Sequence, residues 1–323
     1  MREAMMAARI GDDVFGEDPA TLELQEYCAR LFGYEAALFC TSGTMANQIA
    51  IACHTRPGDE VICDALSHIY LYEGGGIAAN AGVSVQLLEG NRGRISAGQI
   101  EKVIKADNPH YPVSRMVSLE NTVNKGGGSF YDLAEIQAIR ALCRKHGLIL
   151  HLDGARLFNA MQVSNTHPAD YGSLFDSISI CLSKGLGAPM GSVLMGSKSF
   201  IHQAIRIRKR WGGGWRQSGF MASAGLFAIQ HQVDRLADDH QMARRIAEEI
   251  SKRSEVTSIL PVDTNILIFS IDSAWGNSGK WVKAAEENGI RCAPFGDSAI
   301  RMVTHLDVSQ EDFDFFSKKI SRF

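Results

Sequence analysis

The sequence predicts an α/β fold in which a mostly parallel sheet carries helices on both faces and a small α+β unit follows. Between about residues 35 and 200, short apolar runs alternate with helical segments, the pattern of a parallel sheet. With 323 residues the chain is longer than one simple core requires. We therefore predict a large domain over 1–235, including an N-terminal segment, and a small C-terminal domain over 236–323.

The large domain contains seven candidate strands with helices between them. The apolar runs that predict strands lie at 36–40, 60–64, 83–88, 115–120, 148–153, 177–183 and 191–196. The clearest helices cover 45–54 and 132–147. The second of these begins at Asp132, has Glu135 at the capping-box position and ends at Gly147.

The C-terminal part predicts a smaller set of mixed elements. One long helical stretch, 222–253, is expected to connect the large domain to the small one. It is followed by an apolar strand at 264–271, a helix at 278–289, a second strand at 299–306 and a final helix. These elements together predict a compact α+β unit.

Composition excludes several classes of protein. The chain is 45% hydrophobic and 21% charged, as in an ordinary soluble enzyme, and its net charge of −3 argues against nucleic acid and anionic membranes as partners. The seven cysteines are odd in number and form no C-x-x-C pair, so we expect neither a disulfide framework nor a metal site. No signal peptide or membrane span is apparent, and we expect a cytoplasmic location.

Polar or glycine-rich residues follow five of the predicted strands, at the edge where open α/β sheets bind ligands. After the first strand, Ser42, Gly43 and Thr44 lead into a helix. Free N–H groups and the positive end of the helix dipole would suit one phosphate there, although a simple capped helix explains the same residues. The loop matches neither a Walker A motif nor a dinucleotide-binding motif.

Three further strand ends carry an acid, a lysine and a histidine. Asp153 ends an apolar strand and should have a cationic partner, either Arg156 or a protonated ring nitrogen of a bound heterocycle. Lys184 follows another strand among small residues and could be a nucleophilic amine or a lysine that reaches solvent. His68 follows a third and could stack on a ring or pack as an ordinary polar residue.

In combination these residues indicate pyridoxal 5'-phosphate. That cofactor requires a lysine for its aldehyde, a carboxylate for its pyridinium nitrogen, an anion site for its phosphate and a flat group against its ring. Lys184, Asp153, the Ser42–Thr44 loop and His68 supply one of each.

Five motifs resemble the low-specificity L-threonine aldolases, which belong to the aromatic amino acid β-eliminating lyase/threonine aldolase group and to fold type I of the pyridoxal phosphate enzymes. The motifs occur in order over nearly the whole chain: SGTMANQ, HLDGARLFNA, CLSKGLGAPMGS, GGGWRQSG and RMVTHLDVS. The resemblance implies retro-aldol cleavage of L-threonine, L-allo-threonine or another β-hydroxy-α-amino acid to glycine and an aldehyde.

The resemblance also implies a role for each matching residue. Lys184 would bind the cofactor covalently and Asp153 would hold its ring nitrogen, with His68 stacked on the ring and near the proton transfer. The remaining implied contacts are to the phosphate from Ser42, Gly43, Thr44, Lys209 and Arg216, and to the substrate carboxylate from Arg156 and Arg301. Arg156 would also lie beside the cofactor's phenolic oxygen.

Lys209 and Arg216 would act across a subunit interface in a tetramer built as a dimer of dimers. The basic stretch at 206–216 could instead be a solvated face or, less simply, a nucleic-acid site.

Three positions depart from the family pattern. Val123 stands where many relatives have a histidine that helps to recognise the β-hydroxyl, so we expect a pocket open to a larger or more apolar substituent such as that of phenylserine. Phe15 stands where relatives commonly have tyrosine. The first residues resemble the interior of the family's N-terminal helix, so a preceding Ser-Asp-Thr segment that helps to hold the substrate carboxylate is expected upstream or is absent.

Alternative functions follow from the same residues. One keeps the cofactor and changes the bond that breaks, giving β-elimination or transamination. Another is a relative that binds the cofactor with weak turnover. The sequence leaves open the stereochemistry at the β-carbon and the physiological direction. It also leaves open the general base, which is either His68 or a water that His68 orients.

Overall fold

A computed structural model describes residues 1–321, and its largest feature is a seven-stranded sheet. Its strands are β1 (Ala36–Cys40), β2 (Asp59–Asp64), β3 (Ser84–Leu88), β4 (Val113–Glu120), β5 (Ile149–Gly154), β6 (Ser177–Cys181) and β7 (Ser192–Gly196). They lie in the order β1-β7-β6-β5-β4-β2-β3. All seven predicted strands are present, with ends shifted by at most two residues.

The sheet is mostly parallel, as predicted. The β2–β3, β2–β4, β4–β5 and β5–β6 pairs are parallel, and only β7 runs against its two neighbours. Because β7 is antiparallel to both β1 and β6, these two strands point the same way. The carboxyl ends of β1, β2, β4, β5 and β6 therefore meet at one edge of the sheet.

Helices cover both faces of this sheet and the N-terminal segment lies beside it. A 3-10 helix spans Asp13–Phe15, and the helices of this part are α1 (Arg2–Met6), α2 (Pro19–Phe32), α3 (Gly43–His54), α4 (His68–Leu71), α5 (Gly76–Ala81), α6 (Ala97–Glu101), α7 (Leu133–His146), α8 (Leu157–Ser164), α9 (Pro168–Gly172), α10 (Lys198–Arg210) and α11 (Gly219–His231).

Local sequence explains where the two helices that flank the site region begin and end. Ser42 caps α3, since its Oγ accepts a hydrogen bond from the Met45 N–H at 3.1 Å. Asp132 and Glu135 form the predicted capping box of α7, and Gly147 ends that helix in the left-handed conformation.

The chain from residue 236 onward forms an antiparallel sheet with its own apolar core. Its elements are α12 (Leu236–Ser251), β8 (Val256–Ile259), β9 (Ile266–Ile271), α13 (Ser278–Glu287), β10 (Ala293–Pro294), β11 (Ala299–Val303) and α14 (Gln310–Ile320), with strand order β10-β11-β9-β8. Fully buried Trp281 and Phe269 pack edge to face in this core. The predicted α+β character is confirmed, while the domain boundary near 235 stays a prediction.

The predicted helical stretch 222–253 is two helices rather than one. Residues 232–235 form a turn between α11 and α12. The two helices bury different faces, because α11 packs against α2 whereas α12 packs against α8, α14 and β9. A single straight helix could not reach both sets of partners. The prediction for 177–183 was also too long, since β6 ends at Cys181 and places Lys184 in the turn that follows.

No helix within residues 1–321 is long and apolar enough to cross a membrane.

We predict that Gly154→Ala destabilises the protein, because Gly154 lies directly against the neighbouring strand. A methyl group there would lie 2.6 Å from the carbonyl oxygen of Ser179. We expect the free energy of unfolding to fall by about 1–3 kcal/mol, the usual cost of overpacking a buried site. Urea unfolding of the apoprotein at fixed concentration, followed by circular dichroism, measures this.

The matched control is Gly98→Ala, since a methyl group at Gly98 meets no atom within 4 Å. Alanine favours helix, so this change should leave stability unaltered or raise it by up to about 1 kcal/mol. Equal urea midpoints for the two variants would show that the strand contact at Gly154 is not constraining.

Candidate active site

Three polar side chains stand next to one another at the carboxyl edge of the large sheet. Glu120 on β4 is paired in register with Asp153 on β5, which is paired with Ser179 on β6. All three are buried. Parallel pairing therefore places two carboxyl groups on adjacent strands in a site that little water reaches.

Asp153 is a buried carboxylate whose hydrogen-bond partners carry no charge. It is 2% exposed. Its Oδ1 accepts from the Ala155 N–H at 3.1 Å, and its Oδ2 accepts from Asn47 Nδ2 at 2.9 Å. Within residues 1–321 it forms no salt bridge, and Arg156 is not its partner. Burying an anion without a paired cation costs free energy. We therefore expect a cation from outside the chain to bind this carboxylate.

The Asn47 side chain on α3 joins Asp153 to a second buried carboxylate. Its Nδ2 also donates to Glu73 Oε1 at 3.0 Å, and the other Glu73 oxygen accepts from Gln48 Nε2 at 2.6 Å. One amide thus bridges the carboxylates of Asp153 and Glu73.

A chain of neutral groups fixes the orientation of the Asn47 amide. Its Oδ1 accepts from Ser179 Oγ at 2.6 Å and from His151 Nε2 at 3.3 Å. Burial lowers the pKa of His151 to about 3, so its ring is neutral at pH 7 and its Nδ1 accepts from Ser177 Oγ at 2.8 Å. The amide oxygen therefore faces these donors and the amide nitrogen faces the two acids.

His68 lies at the start of α4 and is held by Glu73. Its Nδ1 donates to Glu73 Oε1 at 3.0 Å, and the His68 side chain is 27% exposed whereas that of Glu73 is fully buried. The hydrogen bond to Glu73 is the largest cause of a raised His68 pKa, and the nearby negative charge of Asp153 adds to it. The bond also leaves Nε2 as the free ring nitrogen.

His68, Glu73 and Asp153 each have one atom that could ligate a metal ion, and these atoms lie within 4.8 Å of one another. Each is already hydrogen-bonded to the protein, through Nδ1 of the histidine and through both carboxylates.

Glu120 ties together two loops that border the site. Its Oε2 accepts from the His68 N–H at 2.8 Å and its Oε1 accepts from the Asn124 N–H at 2.9 Å. Burial, followed by the negative charge of Asp153, raises the pKa of Glu120 to about 7. This carboxyl group therefore holds the backbone of both loops, and it titrates near neutral pH.

The start of α3 presents free donors near β6. Ser42 uses its Oγ as the helix cap, and the Gly43 and Thr44 N–H groups take part in no backbone hydrogen bond of the described chain. A methyl group at Gly43 would lie 2.6 Å from Cys181 Sγ, so only glycine allows this approach. Two free N–H groups at the start of a 12-residue helix suit an anion, as predicted for Ser42, Gly43 and Thr44.

Lys184 lines a cavity of about 390 Å³ between the edge of the large sheet and the segment after β11. The other walls come from both parts of the chain: Arg156, Ser183, Gly185, Gly187, Asn265, Val303, Thr304, His305, Leu306 and Asp307. In the described part of the chain, Lys184 forms no salt bridge. Its amine is therefore not held by an ion pair and can meet a ligand that enters this cavity.

Two arginines beside this cavity share an unbalanced positive charge. Burial, and then the positive charge of Arg301, lower the pKa of the Arg156 guanidinium. Arg301 donates from Nη1 to Asn124 Oδ1 at 2.7 Å, and its buried Nε has no partner within residues 1–321. Two guanidinium groups that repel each other and lack a carboxylate partner suit a substrate carboxylate between them.

Of the predicted site residues, Lys184 and Arg156 line this cavity and the others lie outside its lining. Lys209 and Arg216 are near the 3-10 helix, where Arg216 forms a salt bridge with Asp12 at 2.6 Å. Val123 is 1% exposed and packs against Gly93. The roles given to all the predicted site residues stay predictions, as does a role for Phe15, which is 69% exposed.

Four residues of this site are not predicted from the sequence. Glu120 ends a buried strand as Asp153 does, and that signal could have revealed it. Asn47, Glu73 and Asn124 carry no comparable signal, because their partners are distant in sequence, as the separation of 106 residues between Asn47 and Asp153 shows.

Comparison with known proteins gives matches over almost the whole chain. The model of the beta-eliminating lyase family matches residues 1–274. The low specificity L-threonine aldolase of Escherichia coli K12 is 39% identical over 313 residues, which cover 96% of this chain and 91% of that protein. Low-specificity L-threonine aldolase 1 of Arabidopsis thaliana is 38% identical over 318 residues, covering 97% and 89%.

Solved structures share the fold. The threonine aldolase of Leishmania major superposes with a TM-score of 0.83 at 23% identity and covers 98% of this chain and 92% of its own. An Escherichia coli protein with a methionine aminotransferase function superposes with a TM-score of 0.77 at 14% identity, covering 99% and 89%. The predicted fold, type I of the pyridoxal phosphate enzymes, is thereby confirmed, and one fold hosts different reactions.

The family match and the sequence identity over nearly the full length together show the family of this chain. The chain belongs to the beta-eliminating lyase family and, within it, to the low-specificity L-threonine aldolases.

Proposed function

We propose that this protein is a pyridoxal 5'-phosphate-dependent carbon–carbon lyase that cleaves L-threonine or L-allo-threonine to glycine and acetaldehyde. The observation that carries the proposal is the buried Asp153 carboxylate, which has only neutral partners and stands near the cavity of Lys184 and Arg156. The kinship with low-specificity L-threonine aldolases supports the choice of reaction.

The residues present fit this cofactor group by group. Asp153 offers a buried negative charge to a protonated ring nitrogen, and the Gly43 and Thr44 N–H groups offer donors to a phosphate. His68 offers a partly exposed ring, and Lys184 offers an amine without an acidic partner. When bound, pyridoxal 5'-phosphate supplies an electron sink for the negative charge that develops on Cα.

The side chains around the cavity bind the substrate carboxylate and transfer the proton. Arg156 and Arg301 hold the substrate carboxylate, whose charge relieves their mutual repulsion. That anchor orients the Cα–Cβ bond for cleavage. His68 Nε2 takes the proton from the β-hydroxyl, directly or through a water, while Glu73 holds the opposite side of its ring.

β-Elimination is the second candidate function, because the family model that matches the chain is that of the beta-eliminating lyases. The two reactions give different products. Retro-aldol cleavage of threonine yields glycine and acetaldehyde, whereas elimination yields ammonia and a keto acid. A product assay therefore separates them.

Assembly and location are part of the proposal. We infer a homotetramer in which Lys209 and Arg216 serve a neighbouring subunit, the role that the resemblance to the low-specificity L-threonine aldolases implies for them. We also infer a cytoplasmic protein, for which the seven free cysteines give support.

The first test is Lys184→Ala. Without its amine the protein should lose the visible absorption band of lysine-bound cofactor, and glycine production from L-threonine should fall by at least about 10³-fold. Absorption spectra of the purified protein with added cofactor and a glycine assay measure both effects.

Lys198→Ala is the matched control, since Lys198 is an exposed lysine at the start of α10. It should keep the band and the rate. A wild-type protein that stays colourless with excess cofactor, or a Lys184→Ala variant that retains both band and turnover, would contradict the proposal.

The second test is Glu73→Gln. A neutral side chain weakens the hydrogen bond and removes the charge by which Glu73 raises the His68 pKa, so the acidic limb of the kcat/KM profile for L-threonine should move to lower pH. The sign follows because neutral His68 is the active base, and a lower pKa extends its neutral form to more acidic solution.

Glu60→Gln is the control for this profile, since Glu60 is a buried glutamate on β2 that accepts from Ser114 Oγ at 3.1 Å and does not contact His68. The acidic limb of the kcat/KM profile of this variant should stay at the wild-type pH. A Glu73→Gln variant that is slower at every pH but has an unshifted limb would assign Glu73 a purely structural role.

A further inference from the structure

Lys125 is a half-buried cation that the proposed reaction does not use. It lies in the loop after β4, one residue beyond Asn124. Its Nζ is 5.0 Å from the centroid of the Phe295 ring and 6.0 Å from that of the Tyr72 ring. The ammonium therefore stands between an aromatic side chain near β10 and one that follows α4.

Both rings connect Lys125 to the active site. The Tyr72 ring centroid is 5.6 Å from that of His68, and the Phe295 centroid is 5.4 Å from Arg301 Cζ. The residue before Lys125 holds Arg301 through its side-chain oxygen. Lys125 thus borders the site on the side that lies between the proton-transferring His68 and the carboxylate-binding Arg301.

The charge around Lys125 is unbalanced. Lys125 and Arg301 lie over the same phenyl ring, and neither has a carboxylate oxygen within 4 Å in the part of the chain that the structure describes. Two cations over one ring do not compensate each other, and an aromatic face compensates an ammonium less than a charge-assisted hydrogen bond does. The α-carboxylate of an amino acid already has Arg156 and Arg301, so Lys125 remains for a second anion.

We propose that Lys125 binds an acidic substituent on the β-carbon, so that the enzyme prefers β-hydroxy-α-amino acids with a second carboxylate. β-Hydroxyaspartate is the simplest of these. Cleavage breaks its Cα–Cβ bond, moves the β-hydroxyl proton to the base and returns a proton to Cα, giving glycine and glyoxylate without oxidant or reductant. This inference rests on the proposed function and specifies its substrate class.

A purely structural role for Lys125 predicts a different result. If the ammonium only packs Tyr72 against Phe295, its loss would disturb the site for every substrate equally. If it binds a substrate carboxylate, its loss affects only the substrate that carries one. The ratio of kcat/KM for L-β-hydroxyaspartate to that for L-threonine separates these roles.

The experiment measures that ratio for the wild-type holoenzyme, for Lys125→Met and for Lys125→Arg, with glycine, glyoxylate and acetaldehyde quantified. We expect the wild type to favour β-hydroxyaspartate in at least one β-diastereomer. Lys125→Met should lower kcat/KM for β-hydroxyaspartate by about 10- to 100-fold, with threonine within about threefold of wild type. Lys125→Arg should retain most of the preference. Lys125→Gln serves as a second neutral variant if the methionine variant fails to fold.

Lys280→Met is the matched control, because Lys280 also stacks on an aromatic ring, that of Trp275 at 4.9 Å, outside the site. It should leave the ratio unchanged. An unchanged ratio in the neutral Lys125 variants, an equal fall for both substrates, or a wild type that cleaves threonine but not β-hydroxyaspartate overturns this inference and leaves the proposed function standing. Cleavage of neither substrate defeats the proposed function itself.

Discussion

The site depends on one side-chain amide that donates to two buried acids. Asn47 donates to both Asp153 and Glu73, and its own orientation is fixed by Ser179 and the neutral His151. Because a buried carboxylate needs hydrogen-bond donors, this amide supplies one to each acid while adding no charge of its own. Asp153 remains available to a cation from outside the chain, and Glu73 remains available to His68.

A second constraint is the excess of positive charge beside the cavity. Arg156, Arg301 and Lys125 have no carboxylate within salt-bridge distance among residues 1–321. Buried acids and unpaired cations close to one edge of the sheet favour a ligand that carries both a protonated ring nitrogen and an anionic group. Arg156 and Lys125 follow β5 and β4, the strands that carry Asp153 and Glu120, whereas Arg301 comes from β11 of the second sheet.

Glu120 shows how packing and chemistry share the same residues. It pairs in register with Asp153 on the neighbouring strand and accepts from the backbones of His68 and Asn124. The loop that carries the histidine and the loop that holds Arg301 are thereby anchored to one carboxyl group. Burial and the charge of Asp153 raise its pKa to about 7, so this link between the two loops depends on a carboxyl group that titrates near neutral pH.

The sequence by itself determined the elements and the residues at the strand ends. Alternating apolar runs place seven strands, and the order of the motifs assigns Lys184, Asp153 and His68 to one edge, because parallel strands end together. The break between α11 and α12 escaped prediction, since it arises from two helices that bury against different partners. Asn47, Glu73 and Lys125 also escaped it, because hydrogen-bond partners and ring contacts far apart in sequence have no periodic signal. Only the tertiary structure decides which charged side chains have a partner of opposite charge. The reason is that such pairing depends on distances between neighbouring strands and between the large sheet and the C-terminal sheet.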